Sequence, residues 1–152
     1  MHRRIRGGFT LIEVVCVLAI VGLLAALILP ALPRATTQAR LAAYAVDVAA
    51  LLKADRNAAI RNHAMVSTLL DADRRTVRSG ERVDAVEIPA DVEFSALLAQ
   101  RCADRVVGST IDFFPSGASC GGVIAISRRG FGYQVRVNWL TGGVEIVANQ
   151  KS

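Results

Sequence analysis

The residues best equipped for chemistry are few and widely spaced. Gly117-Ala118-Ser119-Cys120-Gly121 spells G-x-S-x-G, the string in which a serine nucleophile is raised on a tight strand-to-helix turn. The stretch that follows, Gly122 to Ser127, is β-rich and offers no helix. His2 and His63 are the histidines of the chain, and neither lies near that serine in sequence. A Gly/Ser turn between strands accounts for the string, and no enzyme is expected. Asp71 and Asp73 share one polar turn, where paired carboxylates are ordinarily solvated. His63 reads as a surface or junction residue, so no metal and no cofactor is expected.

The residue that asks for an explanation is Glu13. It lies in a run from Phe9 to Leu29, 21 residues in which only Thr10 and Glu13 are clearly polar. As a helix that run reaches about 30 Å, the hydrocarbon thickness of a bilayer. Arg3, Arg4 and Arg6 precede it, so the positive-inside rule keeps the amino terminus in the cytoplasm. A cleaved secretory signal is one reading, but the run is long and Leu29-Pro30-Ala31-Leu32-Pro33 makes a poor cleavage site. A plain anchor is another, and it leaves the carboxylate unexplained. An acidic side chain near the bilayer centre costs about 2.5–3.5 kcal/mol on insertion scales and calls for a partner. The run holds no Lys, Arg or His, which points to another chain or to a new amino terminus.

Gly8-Phe9-Thr10-Leu11-Ile12-Glu13, after basic residues and before an apolar run, resembles the processing signal of type IV pilins and type II secretion pseudopilins. The resemblance implies that a prepilin peptidase cuts between Gly8 and Phe9. Phe9 would then carry an N-methylated amino group, and Glu13 would pair with that ammonium on a neighbouring subunit and set register. Pro30 stands where pilins commonly kink this helix; as sequence alone it also fits the end of a membrane span.

The elements that must position these residues follow in order. From Ala35 to Ala59 the chain is rich in Ala, with Leu41, Ala45, Val48 and Leu52 forming an apolar seam. The opposite side is assigned Arg40, Asp47, Lys53 and Arg56, and the helix is expected to run to about Asn62. Beyond it the period changes. Met65 to Leu70, Arg75 to Val77, Val83 to Ile88, Val92 to Phe94 and Ile111 to Phe114 read as strands, and Ser95 to Arg105 admits a short helix. Gly122 to Ser127, Phe131 to Trp139 and Val144 to Val147 read as a meander. Tyr133, Val135, Val137 and Trp139 fall on one face of its middle strand.

Two groups of residues invite further weighing. Cys102 and Cys120 are candidates for a disulfide if the head faces an oxidising compartment. Closing that loop is worth about 3 kcal/mol in the chain-entropy view, and two buried free thiols are the other reading. Cys16, inside the apolar run, reads as a small apolar residue. Arg128, Arg129 and Arg136 are candidate DNA contacts, whereas Arg74, Arg75, Arg78 and Arg82 stand among Asp71, Asp73, Glu81 and Asp84. A mixed, solvated surface is the simpler account of both groups.

Asp55 to Ile60, Phe114-Pro115-Ser116-Gly117, Gly121-Gly122 and Val137 to Gly142 are similar to segments of the GspH/FimT group of minor pilins. With the amino-terminal signal, the resemblance implies an α+β, pilin-like fold, a long amino-terminal helix packed on an antiparallel sheet. It divides the chain into a leader (1–8), a transmembrane helix (9–29), an amphipathic continuation (30–62) and a periplasmic β-rich head (63–152). It implies a type II secretion system protein H type of minor pseudopilin near the tip of an inner-membrane-anchored periplasmic filament. Expected partners are other minor pseudopilins, the major one, the prepilin peptidase and secreted proteins. A FimT-like minor pilin acting in pilus assembly or DNA uptake is the alternative.

Composition agrees with a concentrated apolar excess. The 152 residues are 53% hydrophobic with a formal net charge of +5. Losing residues 1–8 removes three Arg and leaves 15 basic against 13 acidic side chains, so the basicity is weak support for a nucleic-acid partner.

Overall fold

The computed structural model describes residues 10–28 and 35–150. Two units are separable, residues 1–35 and 36–152. In the first, helix α1 spans Leu11–Ile28. Glu13 N–H donates to the Thr10 carbonyl at 3.0 Å, closing the first turn. Every side chain described there, from Thr10 to Ala25, is exposed, and Glu13 is the one charged residue of α1. Among the described residues no helix is long and apolar enough to cross a membrane; Phe9 and Leu29, the ends of the expected span, lie outside them, as do Gly8 and Pro30.

In the second unit, helix α2 spans Gln38–Asn62. Thr37 caps its amino end by accepting from Arg40 N–H at 3.3 Å. His63 ends it in the left-handed conformation (φ 51°), its N–H returned to the Ala59 carbonyl. One face of α2, carrying Leu41, Ala45, Val48, Leu52 and Ala59, is buried, each Leu or Val contributing about 1.5–3 kcal/mol by leaving water.

That face packs on two antiparallel sheets. The first is ordered β3-β2-β1-β7, with β1 Val66–Asp71, β2 Thr76–Arg78, β3 Ala85–Glu87 and β7 Thr110–Phe113. The second is ordered β10-β9-β8-β4, with β4 Glu93–Leu98, β8 Gly122–Arg128, β9 Phe131–Val137 and β10 Val144–Gln150. A small ribbon pairs β5 (Arg101–Cys102) with β6 (Arg105–Val106). The expected architecture, a helix on antiparallel sheets, is the one observed.

Three local expectations are corrected. Ser95 to Arg105 forms no helix: Glu93–Leu98 pairs along β8 from Glu93↔Ser127 to Leu98↔Gly122, and edge pairing outweighs weak helical spacing. The carboxy-terminal meander therefore gains a fourth strand from the middle of the chain. Trp139 does not share the buried face of Val135 and Val137, because β9 ends at Val137 and Trp139 is 67% exposed in the following turn.

Candidate functional site

The carboxy-terminal third of α2 places two charged neighbours against the two sheets. Asp55 is fully buried. Its carboxylate accepts from Thr68 Oγ1 of β1 at 2.6 Å, from the Gly80 N–H at 3.0 Å and from the Ser79 hydroxyl. A buried carboxylate is tolerated only when donors surround it; here they come from β1 and from the turn after β2. Gly80 suits that turn, since a Cβ would strike the Ser67 backbone.

Arg56 turns to the other sheet. Its Nε donates to the Gly117 carbonyl at 3.0 Å and to the Thr141 carbonyl at 3.1 Å. These carbonyls belong to the turn before β8 and the turn joining β9 to β10. Gly117 (φ +85°) and Gly142 (φ +61°) hold left-handed conformations, and a Cβ on Gly142 would strike both the Gly117 carbonyl and Arg56. Helical phase places Arg56 on the solvent side of α2; the clamp overrides that phase, because a guanidinium reaches across its own stem to paired carbonyls. The available signal was a charge pair, Asp55-Arg56, where the apolar seam should continue.

The remaining turn residues complete the arrangement. Ser119 is 5% exposed; its Oγ donates to the Asp112 carbonyl at 2.9 Å and accepts from Gly121 N–H at 3.1 Å. A strand follows instead of a helix, so this serine braces a turn. Asn138 Oδ1 accepts from Leu140 and Thr141 N–H at 2.9 and 3.1 Å. Gly121 lets Trp139 pack closely, since a Cβ would lie 3.1 Å from that of Trp139. Trp139 and Leu140, 67% and 64% exposed, thus project from a well-braced turn. A groove of mixed lining runs between Leu69, Leu70, Asp71 and Asp73 on one side and Phe94, Ser95 and Leu98 of β4 on the other.

At the start of α2, Asp91 accepts from Thr36 N–H at 2.8 Å and from Thr36 Oγ1 at 3.0 Å. Arg128 pairs with Asp91 at 3.0 Å and donates to the Thr36 carbonyl at 2.7 Å. The Thr36 N–H foremost, then its hydroxyl and the Arg128 charge, hold the Asp91 carboxyl below its ordinary value, while partial burial opposes them.

The candidate DNA contacts are not brought together. Arg128 is occupied by Asp91 and Thr36 at the start of α2, and Arg129 is exposed in the β8–β9 turn. Arg136 lies five residues along β9 from Phe131, about 16 Å of strand, bonded to Gln134 Oε1. Arg74 and Arg82 pair with Asp71 and Asp84, and Arg75 donates to the Ile88, Pro89 and Val92 carbonyls. Cys102 and Cys120 form a disulfide with Cα atoms 5.6 Å apart. Asp71 accepts from Arg74 N–H, and Glu13 lies exposed in the first turn of α1.

The family profile described as "Prokaryotic N-terminal methylation motif" matches residues 3–29. Type II secretion system protein H of Xanthomonas campestris pv. campestris is 30% identical over 146 residues, covering 95% of this chain and 84% of that protein. The chain belongs to the type II secretion system protein H family. The fold agrees with that membership. The minor pseudopilin EpsH from the Type 2 Secretion System of Vibrio cholerae superposes with a TM-score of 0.56 at 13% identity, over 71% of this chain and 96% of that one. The type IV minor pilin FimU of Pseudomonas aeruginosa superposes with a TM-score of 0.51 at 15% identity, over 70% and 92%. The segments singled out in sequence, Asp55 to Ile60, the Gly117 turn and the Thr141 turn, are those joined by the Arg56 clamp in this protein H family member.

Proposed function

We propose that this chain is a low-copy structural subunit of a type II secretion pseudopilus, sited near its tip, where it helps export folded proteins across the outer membrane. The observation that carries the reading is the 30% identity to a type II secretion system protein H across 95% of the chain. The clamped head supplies its physical basis. Asp55 and Arg56 tie α2 to both sheets, so a push on the helix is delivered to the whole head as one body. The work done is assembly rather than turnover: the serine of G-x-S-x-G is buried in a turn.

The amino-terminal half serves membrane insertion and assembly. Residues 9–29 cross the inner membrane with the leader cytoplasmic and the head, 63–152, periplasmic; the amphipathic helix α2 begins at Gln38, after the extended Thr37, and not as an unbroken continuation through residues 35–37. Prepilin peptidase removes residues 1–8, Phe9 is N-methylated, and Glu13 meets the Phe9 ammonium of a neighbour. An α1 whose described side chains are exposed and apolar apart from Glu13 suits a helix whose surroundings are lipid and then other pilin helices. Major and minor pseudopilins are the partners, with exposed Trp139 and Leu140 as an apolar surface for their heads.

Deleting the gene and restoring it on a plasmid tests this. Loss of an exoprotein from the medium, with the protein retained in the periplasm and pili unchanged, is expected. Normal secretion with loss of pili or of DNA uptake favours the FimT-like reading, to which the FimU superposition lends its fold.

A further inference from the structure

Asp112 of β7 is 3% exposed, and among the described residues no donor reaches its Oδ1. A buried carboxylate oxygen without a donor is uncommon and calls for a counter-charge or another partner. The disulfide lies close to this carboxyl group. One side-chain donor atom each from Cys102, Asp112 and Cys120 lies within 4.8 Å of the others. Two of the three are held by the backbone: Cys120 N–H donates to the Asp112 carbonyl at 3.0 Å, and Ser119 Oγ donates to the same oxygen at 2.9 Å. Cys102 arrives on the β5–β6 ribbon with its Cα 5.6 Å from that of Cys120.

We propose that in the dithiol form Cys102, Cys120 and Asp112 bind a zinc-class divalent cation, so that the disulfide is one of two states of this cluster. Tetrahedral zinc with Zn–S of about 2.3 Å and Zn–O of about 2.1 Å sets its donors about 3.5–3.8 Å apart, so the two sulfurs, bonded to each other in the disulfide, must separate on reduction, while the carboxylate already lies within 4.8 Å of both. Two thiolates and one carboxylate favour zinc over magnesium or calcium. Both cysteines are partly exposed, which leaves the fourth position to water. On loading, the two thiols release two protons and no electron moves. Passage to the disulfide transfers two electrons from the thiolates to a disulfide-bearing oxidant. That oxidant takes up two protons and becomes a dithiol, while the S–S bond forms and the cation leaves.

The test uses the full chain in detergent with Cys16→Ser, which removes the remaining free thiol. The chain is reduced by a phosphine, which becomes phosphine oxide, and is handled anaerobically after the reductant is removed. Cobalt(II) alone is the first probe. One equivalent is expected to give a thiolate-to-cobalt charge-transfer band and tetrahedral visible bands, both erased by one equivalent of zinc and absent from the oxidised chain. Asp112→Asn is expected to weaken binding at least about tenfold, since even supporting residues at metal sites cost that much. A reduced chain without the charge-transfer band overturns the proposal whether or not it keeps its fold, and so does unchanged affinity in Asp112→Asn. X-ray absorption of the zinc-loaded parent avoids reliance on a variant. Two sulfur neighbours with oxygen completing the shell are expected, and any other sulfur count overturns the site.

Discussion

Arg56 Nε donates to the carbonyl of Gly117 at 3.0 Å, across 61 positions of sequence. The same nitrogen also takes the Thr141 carbonyl, so one side chain of α2 holds the two turns that frame the β8–β9–β10 meander. Gly142 packs beneath this clamp with φ +61°. Gly130 has φ +84° and open space around it, which makes it an internal control. Gly130→Ala is expected to cost about 1 kcal/mol, the left-handed penalty alone. Gly142→Ala is expected to cost about 3 kcal/mol, because steric overlap with the Gly117 carbonyl and Arg56 adds to that penalty. Denaturant midpoints of the two variants check the difference; equal losses would mean that the clamp bears no load.

Asp55 carries the companion anchor. Asp55→Ala strands the Thr68 and Ser79 hydroxyls and the Gly80 N–H in a buried setting, and about 3 kcal/mol of lost stability is expected. Asp47→Ala, at an exposed position of the same helix, is expected to stay within about 0.5 kcal/mol of the parent. Thermal unfolding of both variants reads the contrast.

The Asp91 junction makes stability depend on acid. Its folded carboxyl titrates below the ordinary value, chiefly through the Thr36 N–H. A depressed acid stabilises the fold above the unfolded value of about 3.9 and loses that contribution as pH falls through the folded value. The parent should therefore melt higher than Asp91→Asn at neutral pH, with the gap closing below about pH 4. Melting curves over a pH series measure it, and a gap that widens in acid would contradict the assignment.

Processing is checked by mass. Replacing Gly8 is expected to leave the leader attached, giving a mature protein heavier by residues 1–8. Normal processing in that variant would place the cut elsewhere.

Glu13→Val is expected to leave folding and membrane insertion intact while reducing incorporation into filaments. Crosslinking to the major pseudopilin in cells reads this directly, and undiminished crosslinking would remove the register role from Glu13.

Much of the fold was legible because it follows from local spacing. The seam of Leu41, Ala45, Val48 and Leu52 announces α2, and the alternation at Val135 and Val137 announces a strand with one face buried. The stretch from Asp71 to Val107 was opaque for a physical reason. Its strands are short, and β4 becomes a strand by pairing with β8, about thirty residues away, so its own residues carry only a weak pattern. Arg56 was misread because helical phase fixes where a side chain begins, whereas a long guanidinium ends where acceptors converge.

The amino-acid sequence by itself determined the amino-terminal methylation motif, the apolar run with its single carboxylate, and the helix-then-sheet order, since each rests on residues close together in the chain. Only the tertiary structure decided the rest. It set Asp55 among three donors, brought two distant glycine turns onto Arg56, tied Arg74, Arg82 and Arg128 into separate ion pairs and Arg75 to backbone carbonyls, and laid Asp112 near Cys102 and Cys120. Those relationships join groups far apart in sequence, and their energies arise from burial and hydrogen bonding that exist only once the sheets have closed on α2.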